Sequence, residues 1–431
     1  MFKGFSYALA VGLLLGVMTQ SAAAAGITKY EKFITPDYWV NKNAQGNQVI
    51  LDEQGIKSYN AKIVETSRSV VDLKNFPASY SGDALKTRIM SYELLDDILY
   101  LHGNKVSENY KNILRQQTNV GAVPQTIKPQ YALTVRRSNV RNLPTGEGLF
   151  YDPGDTDFDV LQETALDPGE AVVVLHTSAN GYFYYVQARN YSGWVSKFNL
   201  AFTDKNTLLK YLEPKKFLVV TDKNMALKVG NEIINYQQGS VLPLESTQEN
   251  TYTLLAPGRS NGGKYTKMTP MVKKDNPALH MGYLPYTSNN IVKSAFKFYD
   301  LPYGWGGLKN SVDCSSLLYN AYRTVGIYLP RNADQQEATA AQVTDLTGLD
   351  KSSRLQAIAK LQPGAGLFMD GHVVILLGSS NNEPYAIHAL GSYFTQGVRH
   401  RAMKVVVSDL QLERASGKTQ LEDLTSALEF R

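Results

Sequence analysis

The chain has 431 residues, 43% of them hydrophobic and 19% charged, with 33 glycines and 17 prolines, an ordinary globular balance. A length of this order points to two to four domains rather than one. The formal charge of +5 suits an anionic polymer but is far below a nucleic-acid footprint, and no basic run is dense enough to reverse that.

At the start, Lys3 precedes the apolar run Tyr7 to Met18 and the small residues Ser21-Ala22-Ala23-Ala24-Ala25. This pattern predicts a secretory signal peptide over residues 1–25, with Ala23-x-Ala25 before the cut at Gly26. The run is short for a membrane span, and no cysteine near the cut offers a lipid anchor. The mature chain is then expected outside the cytoplasm, periplasmic or secreted, without a membrane anchor and as a monomer. Cleavage removes Lys3 and no acid, leaving +4.

Residues 26–125 carry helix-like stretches at 56–64 and at Lys86 to Leu101, the second with Ile89, Leu94, Leu95, Ile98 and Leu101 near one face. They hold no catalytic cluster and read as a mainly helical N-terminal stabilising segment. From about Thr126 short alternating runs take over. Ala171 to Leu175 and Tyr182 to Val186 flank Asn180-Gly181, a hairpin signal, and Gly193-Trp194-Val195 closes the unit. A weaker copy follows in Gly239 to Glu245, Tyr252 to Leu255 and Gly282-Tyr283-Leu284. Two small β-barrels, over residues 126–212 and 213–286, are the expectation. They resemble bacterial SH3-like domains, which often accompany cell-wall enzymes.

The last segment, 287–431, opens with a helix pattern at 291–299 and reaches the glycine-rich stretch Tyr303-Gly-Trp305-Gly-Gly before Asp313-Cys314-Ser315. Leu317, Leu318, Ala321, Tyr322 and Val325 then recur at helical spacing until Gly326 and Pro330. Asp313 is placed at the N-cap and Cys314 in the first turn. Cys314 is the only cysteine, so it has no disulfide partner within the chain, and an exported chain that spends its one cysteine here points to a reactive thiol. Unpaired helix amides and a nearby imidazolium would favour the thiolate, and the same amides could serve an oxyanion.

Six histidines are available as partners. His102 and His176 read as surface or core residues, His280 as a loop residue and His400 as exposed. His372 instead opens the apolar run Val373 to Leu377 directly after a turn, where a polar ring has little reason to stand unless the strand end borders a polar site. It is the expected general base. His388, in Tyr385-Ala-Ile-His388-Ala, can reach it from the next strand and fix its tautomer.

A cysteine helix followed by a histidine-bearing antiparallel sheet is the papain-like layout, α+β in class. Together with Leu329-Pro-Arg331 and Gly371-His372-Val, these motifs closely resemble the NlpC family of bacterial cell-wall cysteine peptidases over the last third of the chain. The upstream organisation resembles the multidomain members. The resemblance implies cleavage of the γ-D-glutamyl–L-diamino acid bond of peptidoglycan stem peptides through a thioester, with no cofactor or metal. It implies Cys314 as nucleophile, His372 as base, His388 as orienting residue and Tyr303 near the oxyanion. Asp313, Ser315 and Arg331 would lie on the substrate side of the thiol. Members that require a free N-terminal L-alanine carry an acid and then a serine after the Pro-Arg pair, where this chain has Asn332 and Ala333. Asp334, one place on, or Asp159 and Glu163 of the first β-unit are the acids that could close the pocket instead.

Readings from other classes compete. Asp370, His372 and His388 have ligand-like spacing for a metal hydrolase, which leaves the Cys314 context unexplained. A non-catalytic wall-binding protein, or a cysteine amidase or acyltransferase acting on another bond, would keep parts of the same pattern.

Overall fold

In the computed structural model, which describes residues 27, 31–91 and 97–431, the N-terminal segment has no core of its own. Helices α1 (Pro36–Lys42) and α2 (Glu53–Thr66) send Trp39, Tyr59 and Ile63 into the core of the C-terminal domain, and Val49–Leu51 pairs with Tyr286–Thr287 beside it. Leu73 and Phe76 pack instead on the first β-unit, as do Leu85 and Ile89 of α3 (Gly82–Met90). The segment is thus a strap whose apolar side chains are divided between two neighbours. The expected helix through Leu101 ends at Met90; Tyr100–Leu101 is a strand and Ile98 is exposed, while Leu94 and Leu95 lie outside the described residues, as does the expected signal peptide. Among the described residues no helix is long and apolar enough to cross a membrane.

Residues 130–203 form a seven-stranded antiparallel sheet. In chain order its strands are β1 (Gln130–Thr134), β2 (Ser138–Arg141), β3 (Gln162–Leu166), β4 (Ala171–Thr177), β5 (Phe183–Gln187), β6 (Ser192–Ser196) and β7 (Leu200–Thr203). They lie side by side as β7-β1-β4-β5-β6-β2-β3. The Asn180-Gly181 turn joins β4 to β5 as its sequence predicts, with Gly181 at φ 67°, a left-handed geometry that glycine adopts without steric cost. A second β-rich unit follows the helix Lys205–Leu212. Its five-stranded sheet includes Phe217–Val220, Val241–Thr247 and Thr251–Leu254. The expected strand at Gly282-Tyr283-Leu284 is displaced to Leu279–Met281, and His280 therefore stands in a strand rather than a loop.

The C-terminal domain places helices Ser288–Phe296 and Cys314–Arg323 (the cysteine helix) against a six-stranded antiparallel sheet. Leu317, Leu318, Ala321 and Tyr322 share one face of the cysteine helix and are fully or almost fully buried. The strand His372–Ser380 reads as an unbroken apolar run because both its faces are covered. Val373, Ile375 and Leu377 meet the cysteine-helix side, whereas Val374 and Leu376 pack on the opposite side with Ile358 and Leu421. The neighbouring strand Glu383–Thr395 pairs Ile387 with Ile375 and is in turn paired by Val398–Ser408.

Candidate active site

The cysteine helix is started by a reciprocal cap. Asp313 Oδ1 accepts from the Ser316 amide at 2.8 Å, and Ser316 Oγ accepts from the Asp313 amide at 2.8 Å. Cys314 is therefore fixed as the first helical residue, half-buried, with the Val373 and Ser315 backbone amides against its sulfur. The Tyr303 hydroxyl also hydrogen-bonds this sulfur. Tyr303 is held by its own amide, which donates to Met403 O at 2.9 Å, and by the Phe158 ring at 5.7 Å.

His372 follows the Asp370-Gly371 turn, in which Gly371 has φ 68°. Its Nε2 lies 2.8 Å from His388 Nδ1, and His388 Nε2 lies 3.0 Å from Ser408 Oγ. With Nε2 engaged by His388, Nδ1 is the other ring nitrogen of His372. His388 stands next to Ile387 in the register, so its ring meets His372 diagonally across the strand pair.

Electrostatics at the thiol run opposite to the sequence expectation of a depressed pKa. Burial first, and then the Asp313 carboxylate, push Cys314 up to about 11; the Val373 and Ser315 amides and the Arg331 charge oppose this without overcoming it. Burial, aided by Arg414, pushes His372 down to about 3. Near neutral pH these shifts leave Cys314 as the thiol and His372 as the neutral imidazole. Alkylation of Cys314 by iodoacetamide in the free protein is accordingly expected to keep accelerating from pH 7 through pH 10; a rate already level below pH 7 would show a resting thiolate instead.

Four of the residues expected to face substrate are taken up within the protein. Arg331 grips Asp313 with two nitrogens, at 2.6 and 3.2 Å, and donates to Ser315 Oγ at 2.9 Å and Thr164 Oγ1 at 2.8 Å. Arg331 and its three partners are all buried. Asp159 accepts from Arg141 at 2.8 Å and from the Leu149 and Leu161 amides. With these contacts the residues build the loop under the thiol and spend most of their hydrogen-bonding capacity on one another. Glu163 accepts from Asn142 and Tyr191, is partly exposed, and is raised by burial to about 7. Asp334 is exposed in the helix Ala333–Glu337.

The first β-unit reaches this loop directly. Gly306 (φ 53°) and Gly307 (φ 78°) let the backbone turn left-handed, and a Cβ at either would lie 2.7 Å from Gln162 or Arg137. Gln162 Nε2 donates to Gly306 O at 2.8 Å, Arg137 to Gly307 O at 3.1 Å, and Trp305 Nε1 to Asp159 O at 3.0 Å. Gly306 N in turn donates to Asp313 Oδ2 at 3.0 Å. Sequence reasoning missed Gln162, Thr164 and Ser408. Only Ser408 had a local signal, since it ends Val405-Val406-Val407 as His372 opens its own apolar run.

The metal-type grouping does not assemble. Asp370 is exposed at its turn, His388 has both ring nitrogens hydrogen-bonded, and among the described residues no three His, Cys, Asp or Glu side chains gather as a ligand set.

Comparison with known proteins agrees with this architecture. Residues 300–405 match the NlpC/P60 family model, and residues 148–196 match the SH3 domain model of SH3b1 type. The chain therefore carries an NlpC/P60 domain and an SH3b domain. A curated relative, the bifunctional muramidase/DL-endopeptidase CwlT of Bacillus subtilis (strain 168), is 26% identical over a stretch covering 20% of this chain and 36% of the relative. The chain thus spans about a third of that relative's length. The structure of an NlpC/P60 endopeptidase from Photobacterium damselae subsp. piscicida superposes with a TM-score of 0.73 at 18% identity, covering 90% of this chain and 94% of that one. This likeness establishes a shared fold through nearly the whole chain. An NlpC/P60 family protein from Bacillus cereus ATCC 10987 gives a TM-score of 0.47 at 18% identity, covering 63% of this chain and 83% of that one.

Proposed function

We propose that the protein is an exported cysteine peptidase that hydrolyses the γ-D-glutamyl–L-diamino acid bond of peptidoglycan stem peptides. The observation that carries the reading is the gathering of the Tyr303 hydroxyl and two backbone amides on the Cys314 sulfur, with a hydrogen-bonded histidine pair on two neighbouring strands of the adjoining sheet, inside a domain that matches the NlpC/P60 model. Cys314 attacks the scissile carbonyl while its proton passes to His372 Nδ1. Tyr303 and the helix-terminal amide donate to the oxyanion. His372 then protonates the leaving amine, and water resolves the thioester. Arg331, Asp313 and Ser315 position the thiol. Residues 213–286 act as a second SH3-like unit beside the first, and residues 1–25 act as the export signal.

Of Asp159 and Glu163, the two acids of the first β-unit expected near the pocket, Glu163 is the one left to meet a free N-terminal amine, because Asp159 is held by Arg141 and two backbone amides. Incubation with L-Ala-γ-D-Glu-diaminopimelate-D-Ala, free and glycan-linked, followed by mass spectrometry, tests the assignment. Release of L-Ala-γ-D-Glu is expected from the free peptide. Glu163→Gln should raise KM for the free peptide roughly tenfold or more, the loss of one charge-assisted contact. Cleavage at a different bond would replace the substrate assignment, and an unchanged KM would remove Glu163 from it.

A further inference from the structure

The histidine pair does not end at His388. His388 is completely buried on the strand Glu383–Thr395. Ser408, the last residue of the next strand, and Gln420, the first residue of the short helix Gln420–Asp423, are almost completely buried beside it. By strand alternation His388 lies on the face of Ala386, away from the cysteine helix, and there Ala386 packs with Leu410 and Leu421. The contacts run from His372 Nε2 to His388 Nδ1 at 2.8 Å, from His388 Nε2 to Ser408 Oγ at 3.0 Å, and from Ser408 Oγ to Gln420 Oε1 at 3.5 Å.

The polarity of this chain follows from its last member. An amide carbonyl can only accept, so the Ser408 hydroxyl proton points at Gln420. The Ser408 oxygen must then accept from His388, which places the His388 proton on Nε2 and leaves Nδ1 as a lone pair. That lone pair accepts from His372 Nε2–H, and the free lone pair of His372 is consequently Nδ1. Reversing the Ser408 hydroxyl would put the proton on His388 Nδ1, turn His372 Nε2 into an acceptor, and move the His372 proton to Nδ1, where no proton could be received from the thiol.

We infer that Ser408, oriented by Gln420, is a positioning residue that sets the tautomer of both imidazoles and thereby leaves His372 Nδ1 unprotonated for Cys314. The inference deepens the proposed cysteine-peptidase reading and rests on it for its catalytic meaning. During acylation His372 gains its proton at Nδ1 and keeps the one on Nε2, so His388 holds the same tautomer through the cycle. No net proton passes along the relay. Its effect is on orientation and on the fraction of enzyme in the competent tautomer.

The test combines nitrogen-15 NMR of the ring nitrogens in the full chain with kinetics of Ser408→Ala, Ser408→Thr and Gln420→Glu. In the parent protein both rings should carry the neutral-form proton on Nε2. Ser408→Ala should shift His388 toward the Nδ1–H form and lower kcat by about 10- to 100-fold with KM changed less than threefold, by analogy with the outer-shell partners that orient metal-bound histidines. Ser408→Thr keeps the hydroxyl, Gln420→Glu keeps an acceptor, and both should retain the parental tautomer and most of kcat. A parental His388 spectrum with Nδ1–H, or a Ser408→Ala protein with unchanged tautomer and kcat, would overturn the inference. The spectra read the relay even if Cys314 proves not to be the nucleophile, so failure of the peptidase reading and failure of the relay are separate results.

Discussion

A piece comprising residues 287–431 alone is expected not to fold, although it contains Cys314, His372 and His388. Phe33, Trp39, Tyr59 and Ile63 belong to the core that surrounds the cysteine helix, and their removal strips that core of side chains that bury almost all of their surface. At roughly 1.5–3 kcal/mol for each large apolar side chain, the four account for about 6–12 kcal/mol. That is comparable with the whole net stability of an ordinary domain, about 5–15 kcal/mol. The same cut leaves buried charge unpaired. Arg323, at the end of the cysteine helix, donates to Asp167 at 3.0 Å and Glu170 at 3.1 Å in the first β-unit, and Arg331 loses Thr164. Insoluble expression, or a soluble product that binds a hydrophobic dye and lacks a cooperative melt, is the expected outcome. A cooperatively melting, active 287–431 piece would show that the upstream units are accessories.

Arg331→Ala is expected to cost about 3–5 kcal/mol and to remove activity in whatever fraction remains folded. The guanidinium is buried, and it neutralises the Asp313 carboxylate beneath the thiol. Arg331 is also the first of the charges that hold the Asp313 pKa below its ordinary value against burial. Without it, Asp313 either stays ionised and unpaired in a dry site or takes up a proton, which weakens the cap that starts the cysteine helix. Thermal melting together with guanidinium titration measures the first effect. Arg331→Lys, which keeps the charge but not the two-pronged grip, should recover only part of it. An Arg331→Ala protein within 1 kcal/mol of the parent, roughly the value of an exposed pair, would contradict this role.

Much of this site could be read from the chain because its signals are local. The Asp313 cap, the spacing of Leu317, Leu318, Ala321 and Tyr322, and a histidine opening an apolar strand are all short-range consequences of helix and sheet geometry. The Asn180-Gly181 hairpin was legible for the same reason. The shared use of the N-terminal segment was not, because an apolar periodicity says that a face is buried and not which neighbour buries it. Nor could the chain show that Arg331 and Asp159 are consumed by buried partners; Thr164 is 167 positions from Arg331. The sign of the Cys314 shift was missed for a related reason. The helix terminus favours a thiolate, but the extent of burial and the nearness of the Asp313 carboxylate emerge only when the loop is folded onto the first β-unit.

The most direct test of the account compares the parent protein with Cys314→Ala on the same stem peptide, with melting curves taken alongside. The half-buried thiol contributes little packing, so the variant should melt within a degree or two of the parent, the scale of a change of a few tenths of a kcal/mol. It should release no L-Ala-γ-D-Glu, whereas the parent does. Product formation by a clean Cys314→Ala preparation would contradict the nucleophile assignment and the proposed peptidase mechanism with it.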